Sequence, residues 1–181
     1  DEYGAINAPQ HEKQTTEPMT PYSFSKSASA LFLQMLARSH GFPATILRLF
    51  LVYGPGQDNN RFIPFVIQKC RNDETIDLSS GGQNRDFCHI DDVIRAIHLA
   101  IEDDHSSGEI INIASGEPRK IKDVAMSIRK HIGGGHLNFG ALKVRKFENP
   151  VLVADISKAR SLLGWAPQCN FETSLRDLCI E

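Results

Sequence analysis

Tyr22 and Lys26 stand four residues apart in a stretch with helical periodicity, so their side chains share one face about a turn apart. An ammonium beside a phenol favours the phenolate, the form that can take a proton from a hydroxyl. Spacing alone describes a surface helix start with a solvated lysine at least as well, so the wider sequence has to decide. The other chemically capable residues are scattered. Cys70, Cys88, Cys169 and Cys179 make no CxxC pair and the 7 histidines are dispersed, which predicts free buried or half-buried thiols and no metal site. Asp91 and Asp92 precede an apolar-periodic run, and helix capping explains them better than metal binding or acid/base work.

These side chains need elements to position them. Phe24, Ala28, Leu31, Phe32, Met35 and Leu36 recur at steps of three and four, predicting a helix over 23–39 that Gly41-Phe42-Pro43 ends. Residues 44–52 (ATILRLFLV) read as one buried strand, parallel because a helix precedes it. A helix over 61–70, a short strand over 75–78 and a strand over 85–90 follow. Asp91 is expected to cap a helix running to about 102, with Val93, Ile94, Ile97 and Ala100 on its buried side. Next come a strand over 109–114 and a helix over 121–132 stopped by Gly133-Gly134-Gly135. Strands near 136–139 and 142–146, then helices over 156–163 and 170–180, complete the pattern. Residues 5–20, rich in Asn, Pro, Gln and Thr, read as an exposed loop. Single strands alternating with helices predict an α/β class.

The chain has 181 residues, of which 41% are hydrophobic and 23% charged, enough for one substantial core. Its 20 basic and 22 acidic residues give a formal charge of −2, which excludes the broad cationic field that nucleic acid or an anionic membrane would need. No apolar run approaches the ~18 residues of a membrane helix, and the expected location is the cytoplasm.

Several motifs occur in order: Pro21-Tyr22-Ser23-Phe24-Ser25-Lys26-Ser27-Ala28; Leu47-Arg48-Leu49-Phe50 leading to Val52-Tyr53-Gly54-Pro55-Gly56-Gln57; and Arg85-Asp86-Phe87-Cys88-His89-Ile90-Asp91-Asp92-Val93. Ile111-Asn112-Ile113-Ala114-Ser115-Gly116, then Val153-Ala154-Asp155-Ile156-Ser157-Lys158-Ala159-Arg160, and finally Leu162-Leu163-Gly164-Trp165 close the series. Across nearly the whole chain this resembles the NAD-dependent epimerase/dehydratase branch of the extended short-chain dehydrogenase/reductases, which modifies nucleotide sugars.

The resemblance implies a fold: the C-terminal part of a Rossmann-type doubly wound parallel sheet with a smaller α/β substrate-binding lobe. Residues 1–55 would belong to the dinucleotide-binding domain and 56–181 mainly to the nucleotide-sugar lobe, with 85–114 returning to the Rossmann sheet. No G-x-x-G-x-x-G occurs, and Asp1-Glu2-Tyr3-Gly4 resembles the segment just after the family's central strand. The glycine-rich half and the family's catalytic Ser or Thr would therefore precede residue 1.

By position, Tyr22 resembles the catalytic acid/base, and Lys26 the lysine that holds the nicotinamide ribose of NAD or NADP and assists the tyrosine. Arg85 matches the arginine that contacts the nucleotide-sugar diphosphate, where a bidentate guanidinium suits the ligand; its alternative is a strand-edge ion pair with Asp86. Arg145 and Glu148 match an Arg-x-x-acid pattern that grips phosphate and ribose hydroxyls. Leu51 stands where relatives carry an asparagine that touches the sugar nucleotide. Asn112, Ser115 and Trp165 are expected to be structural, and Arg48 to reach a polar partner from within its apolar strand. The implied activity is modification of a nucleoside-diphosphate hexose through hydride transfer at C4, of 4-epimerase or 4-ketoreductase type. A 4,6-dehydratase is the alternative: those relatives carry an Asp-Glu pair near this point, and Asp1 aligns with its second acid. A truncated, inactive sugar-nucleotide-binding or structural module is the alternative of another class. The implied partners are nucleoside-diphosphate sugars, with room for a homodimer.

Overall fold

Helix α1 (Pro21–His40) starts at a reciprocal cap. Thr20 Oγ1 accepts the Ser23 N–H at 3.1 Å, and Ser23 Oγ accepts the Thr20 N–H at 3.0 Å. Pro21 suits the first turn, and Gly41 closes the helix with a left-handed φ of 64°. The computed structural model describes residues 2–103, 105–144 and 148–180; Arg145, Asp1 and part of the expected 142–146 strand lie outside them. The face that α1 buries is its small one: Ser23, Ser27 and Ala30. Its large residues Phe24, Leu31 and Phe32 remain more than half exposed.

The run expected as one strand divides at Phe50. Its first half, β1 (Ile46–Leu49), pairs in parallel with β5 (Ile110–Ile113), Ile46 opposite Ile110 and Leu49 opposite Ile113. Phe50 still donates its N–H to the Ile113 carbonyl at 3.1 Å, after which the chain changes partner. Its second half, β2 (Leu51–Tyr53), runs parallel to β4 (Asn84–His89), Leu51 opposite Phe87. Apolar composition cannot reveal such a switch, because both halves are equally strand-like.

Strand β3 (Thr75–Leu78) follows α2 (Phe62–Arg71) and pairs with a later strand, β7 (His136–Phe139). Helix α3 (Ile90–Glu102) leads to β5, and β6 (Pro118–Lys120) leads to α4 (Ile121–Ile132). The two-residue β8 (Val151–Leu152) precedes α5 (Ser157–Leu163) and α6 (Phe171–Ile180). Strands β6 and β8, too short to show alternation, both join β4, the first antiparallel and the second parallel. Residues 142–144 are not strand, contrary to expectation.

Two cores result. Tyr53, Ile63, Phe87, Ile128, Phe171 and Leu175 fill the space between α2, α4 and α6 and the strands beside them. Cys88, Val93, Ala96, Ile111, Ile113 and Trp165 form the second, where α3 and α5 cover β5. Successive β4 residues thus feed different cores, as strand alternation requires. Among the described residues no helix is long and apolar enough to cross a membrane.

Three local expectations need correction. His89, not Asp91, occupies the cap position of α3; Asp91 and Asp92 lie in its first turn because the helix begins two residues earlier. The buried side of α3 is Asp92, Val93 and Ala96, while Ile94 and Ile97 are exposed. Asp92 turns that side inward, accepting N–H groups from Gln168 at 2.9 Å and Cys169 at 3.1 Å and pairing with Arg95 at 2.9 Å. The 5–20 stretch is pinned as well. Gln10 is fully buried and exchanges backbone bonds with Val153 and Asp155, a strand-like role its polar surroundings concealed.

Asp86 is the principal polar tie. Its Oδ1 accepts the Ser115 N–H at 2.7 Å and hydroxyl at 2.6 Å; Oδ2 accepts the N–H groups of Gly116 at 2.9 Å and Ala154 at 3.2 Å. Burial pushes its carboxyl up, and these four donors only partly offset the effect. Asp86→Asn keeps the volume but turns an NH2 group towards N–H donors. It should lower the unfolding free energy by roughly 2–4 kcal/mol, read as an earlier urea midpoint at unchanged slope. A variant within about 0.5 kcal/mol of the parent would show that these contacts contribute nothing net.

Candidate active-site cleft

The capping box fixes the first turn of α1 and thereby the direction of Tyr22 and Lys26. Lys26 Nζ lies 5.5 Å from the centroid of the Tyr22 ring, and the tyrosine is 62% exposed. Both residues open into a cleft of about 880 Å³ whose wall includes Leu49, Phe50, Leu51 and Arg61. The positions of Tyr22, Lys26 and Leu51 are thus brought together, although they come from α1 and from β2, with β1 between them in the chain.

Charge in this cleft has one sign left over. Arg48, 8% exposed in β1, pairs with Glu2 at 3.0 Å and lies over the Tyr3 ring at 4.5 Å. Glu2 is therefore the polar partner expected for Arg48. The Tyr3 hydroxyl donates to Asn112 Oδ1 at 2.8 Å, and burial pushes that phenol up, keeping it a donor. Arg48 Nη1 is buried without a partner among the described residues. Lys26 and Arg61, also on the cleft, enter no ion pair with a described carboxylate. An open cavity with uncompensated cations suits an anionic ligand.

Arg85 and Glu148 meet each other. Arg85 Nη2 donates to Glu148 Oε1 at 2.5 Å, and Nη1 donates to the carbonyls of Asn84 at 2.8 Å and Asn149 at 2.9 Å. Burial disfavours the charge on Arg85, and Glu148 works against that effect. The alternative pairing with Asp86 does not form, because adjacent strand residues face opposite sides. Neither Arg85 nor Glu148 lines the cleft, but their neighbours Phe87 and Leu152 do. Arg145 lies outside the described residues. Glu2 and Tyr3, missed as site residues, gave only one signal: a lone arginine inside an apolar strand needs a buried acceptor. Against the expectation of dispersed metal donors, His89, Asp91 and Cys169 converge away from this cleft.

Comparison with known proteins decides the family. The model of the NAD dependent epimerase/dehydratase family matches residues 1–114. The chain belongs to this family. Among curated relatives, a low-salt glycan biosynthesis protein of Haloferax volcanii is 28% identical over 99% of this chain and 57% of its own length. A UDP-glucuronate 4-epimerase of Thermodesulfobacterium geofontis is 30% identical over 96% of this chain and 54% of its own. The chain therefore spans about half the length of the curated relatives it matches. A UDP-glucuronic acid 4-epimerase of Bacillus cereus, solved with UDP-glucuronic acid and NAD, superposes with a TM-score of 0.90 at 31% identity, covering 99% of this chain and 58% of that one. The UDP-glucose 4-epimerase of Thermotoga maritima, solved with UDP-glucose, gives 0.91 at 26% identity over 98% and 59%. The expected α/β class with Rossmann-type parallel pairing is borne out.

The Arg85–Glu148 pair generates a stability test of its own. Arg85→Ala takes the charged partner from a mostly buried carboxylate, leaving it only the 3.4 Å contact from Gln83, and takes the same donor from two carbonyls; it should cost roughly 2–4 kcal/mol in urea unfolding. Arg85→Lys, which keeps the charge without the fork, should cost less. Equal losses in both variants would mean that the planar geometry, not the charge, is what Glu148 requires.

Proposed function

We propose that this chain supplies the acid/base and the sugar-nucleotide grip of an NAD(P)-dependent enzyme acting at C4 of a nucleoside-diphosphate hexose, of 4-epimerase or 4-ketoreductase type. The observation that carries this reading is the Tyr22–Lys26 pair, set on one helical face and opening into a large cleft with uncompensated positive charge. The family supports it, as do the UDP-sugar 4-epimerases among the relatives. These residues fit a dinucleotide: an exposed phenol and a lysine without a described carboxylate partner are free to meet ribose hydroxyls. Bound NAD(P) supplies the hydride acceptor and donor.

The protein's own part is proton handling and orientation. Tyr22 takes the proton from the C4 hydroxyl as that carbon is oxidised and returns it when the carbon is reduced. Lys26 places a cation beside the phenol and holds the nicotinamide ribose. The family resemblance gives Arg85, Arg145 and Glu148 the diphosphate and ribose of the substrate; Arg85 and Glu148 pair with each other behind the cleft wall, so in this reading the ligand draws the guanidinium away from Glu148. Leu51, apolar on the cleft wall, alters contacts to the sugar and not the proton chemistry. In this reading residues 1–55, with 85–114, build the dinucleotide-binding side, and most of 56–181 the sugar-nucleotide side. The β1–β5 pairing supports that division, since it joins the two segments assigned to one sheet.

Tyr22→Phe in the full-length protein is the direct test. With UDP-hexose and NAD, turnover should fall by about 10²–10⁴-fold while sugar-nucleotide affinity stays nearly unchanged, because the hydroxyl acts in the transition state. A variant that keeps more than about a tenth of the parental kcat removes Tyr22 from the role.

A further inference from the structure

Three side chains of different donor chemistry meet at the opposite end of β4 from Arg85. One ligand atom each from His89, Asp91 and Cys169 lies within 4.8 Å of the others. We propose that they form a three-ligand site for a borderline-soft divalent cation, Zn2+ above all, which ties the start of α3 to the segment before α6.

The local geometry leaves a place for positive charge. His89 Nδ1 accepts the Asp91 N–H at 3.3 Å, a contact that uses its one lone pair and that a metal ion would replace; the Asp91 carboxylate, 3.5 Å from the same nitrogen, is an acceptor too. Two acceptors and a sulfur that face one another are stabilised by a cation between them. The 3.3 Å bond is long, and the exposed Asp91 N–H belongs to the first turn, where water can replace its partner. Tetrahedral zinc bonds of about 2.0–2.3 Å put ligand atoms roughly 3.3–3.8 Å apart, so the trio needs to close by only about an ångström.

The supports of the ligands are fixed already. The His89 ring packs edge-on to Tyr53, centroids 5.2 Å apart at 80°. The buried carboxylate of Asp92 holds the backbone N–H groups of Gln168 and Cys169, and the Trp165 indole N–H donates to the Asp92 carbonyl at 2.9 Å. Such outer contacts set ligand direction at metal sites. A cavity of about 220 Å³ has His89 and Cys169 in its wall, leaving room for water as a fourth ligand.

The helix end opposes a cation, and the sum decides. The start of α3 contributes roughly half a positive charge and Arg95 one more, against two negative charges on Asp91 and Asp92. Burial, the Asp92 carboxylate that the thiol meets and Asp91 push Cys169 up, so it is the metal–sulfur bond that drives its S–H bond to break; the proton goes to solvent and a third negative charge is added. A mixed nitrogen, oxygen and sulfur set selects zinc over Mg2+ or Ca2+, which prefer oxygen alone.

The test is competition of the purified protein with a chromogenic zinc chelator, together with the absorption spectrum on adding Co2+. One zinc should bind per chain in the micromolar range or tighter, and Co2+ should give a near-ultraviolet thiolate-to-metal band. Cys169→Ser should abolish the band, and His89→Ala or Asp91→Asn should weaken zinc binding at least about tenfold. His136→Ala, an exposed histidine elsewhere, should change nothing. The parent protein alone can refute the site, through absence of saturable micromolar binding or of the thiolate band, whatever the variants do to folding. Retention of the band in Cys169→Ser would assign it to another thiol and equally overturn the proposal.

Discussion

The Asp86 carboxylate fixes where three segments meet that the sequence keeps far apart. Its two oxygens hold β4, the turn after β5 and the residue that follows Val153. Taking a carboxylate out of water is costly, and the arrangement persists because hydrogen bonds replace the lost hydration. Everything that β4 presents depends on this register. Arg85 and Phe87 turn towards Glu148 and one core, while Asp86 and Cys88 turn towards the polar tie and the other core. A shift by one residue would put Arg85 in the polar tie and drive Asp86 into the place of Phe87 in the apolar core.

The cleft inherits its shape from a second constraint, the change of partner at Phe50. Because β1 is held by β5 and β2 by β4, the backbone from Ile46 to Tyr53 crosses between two sheets. Leu49, Phe50 and Leu51 line the cleft at this crossing, beside the Tyr22 and Lys26 that α1 delivers. Helix α1 approaches through Ser23, Ser27 and Ala30, whose small side chains let its axis come close. The same economy leaves its aromatic and aliphatic residues outward.

Much of this was legible from residue order. Helices ended by glycine show in the sequence to within a few residues, since left-handed caps at Gly41 and Gly133 are local chemistry. The strand 75–78 and the helix 121–132 match the sequence pattern to the residue. What the residue order does not reveal is set by distant partners. The division at Phe50, the strand-like burial of Gln10 and the inward turn of Asp92 each depend on groups remote in sequence, and no local pattern encodes them. At the cleft, the motifs marked Tyr22 and Lys26, but the Glu2–Arg48–Tyr3 cluster and the mutual pairing of Arg85 with Glu148 needed three-dimensional proximity. Sequence spacing is likewise blind to donors such as His89 and Cys169 that come near each other only in the fold.

The tie at Asp86 also bears on how this chain can change in length. Between Gly116 and Ala154 the backbone leaves β4 and comes back to it, stitched at one end by β6 and at the other by β8. With both ends fixed to one strand, the excursion is a closed loop whose middle is anchored as well, α4 in the first core and β7 on β3. Doubling a flexible connection costs only about 0.6 kcal/mol. Residues inserted between β7 and β8 therefore add surface while β4, its pairing and the cleft stay where they are.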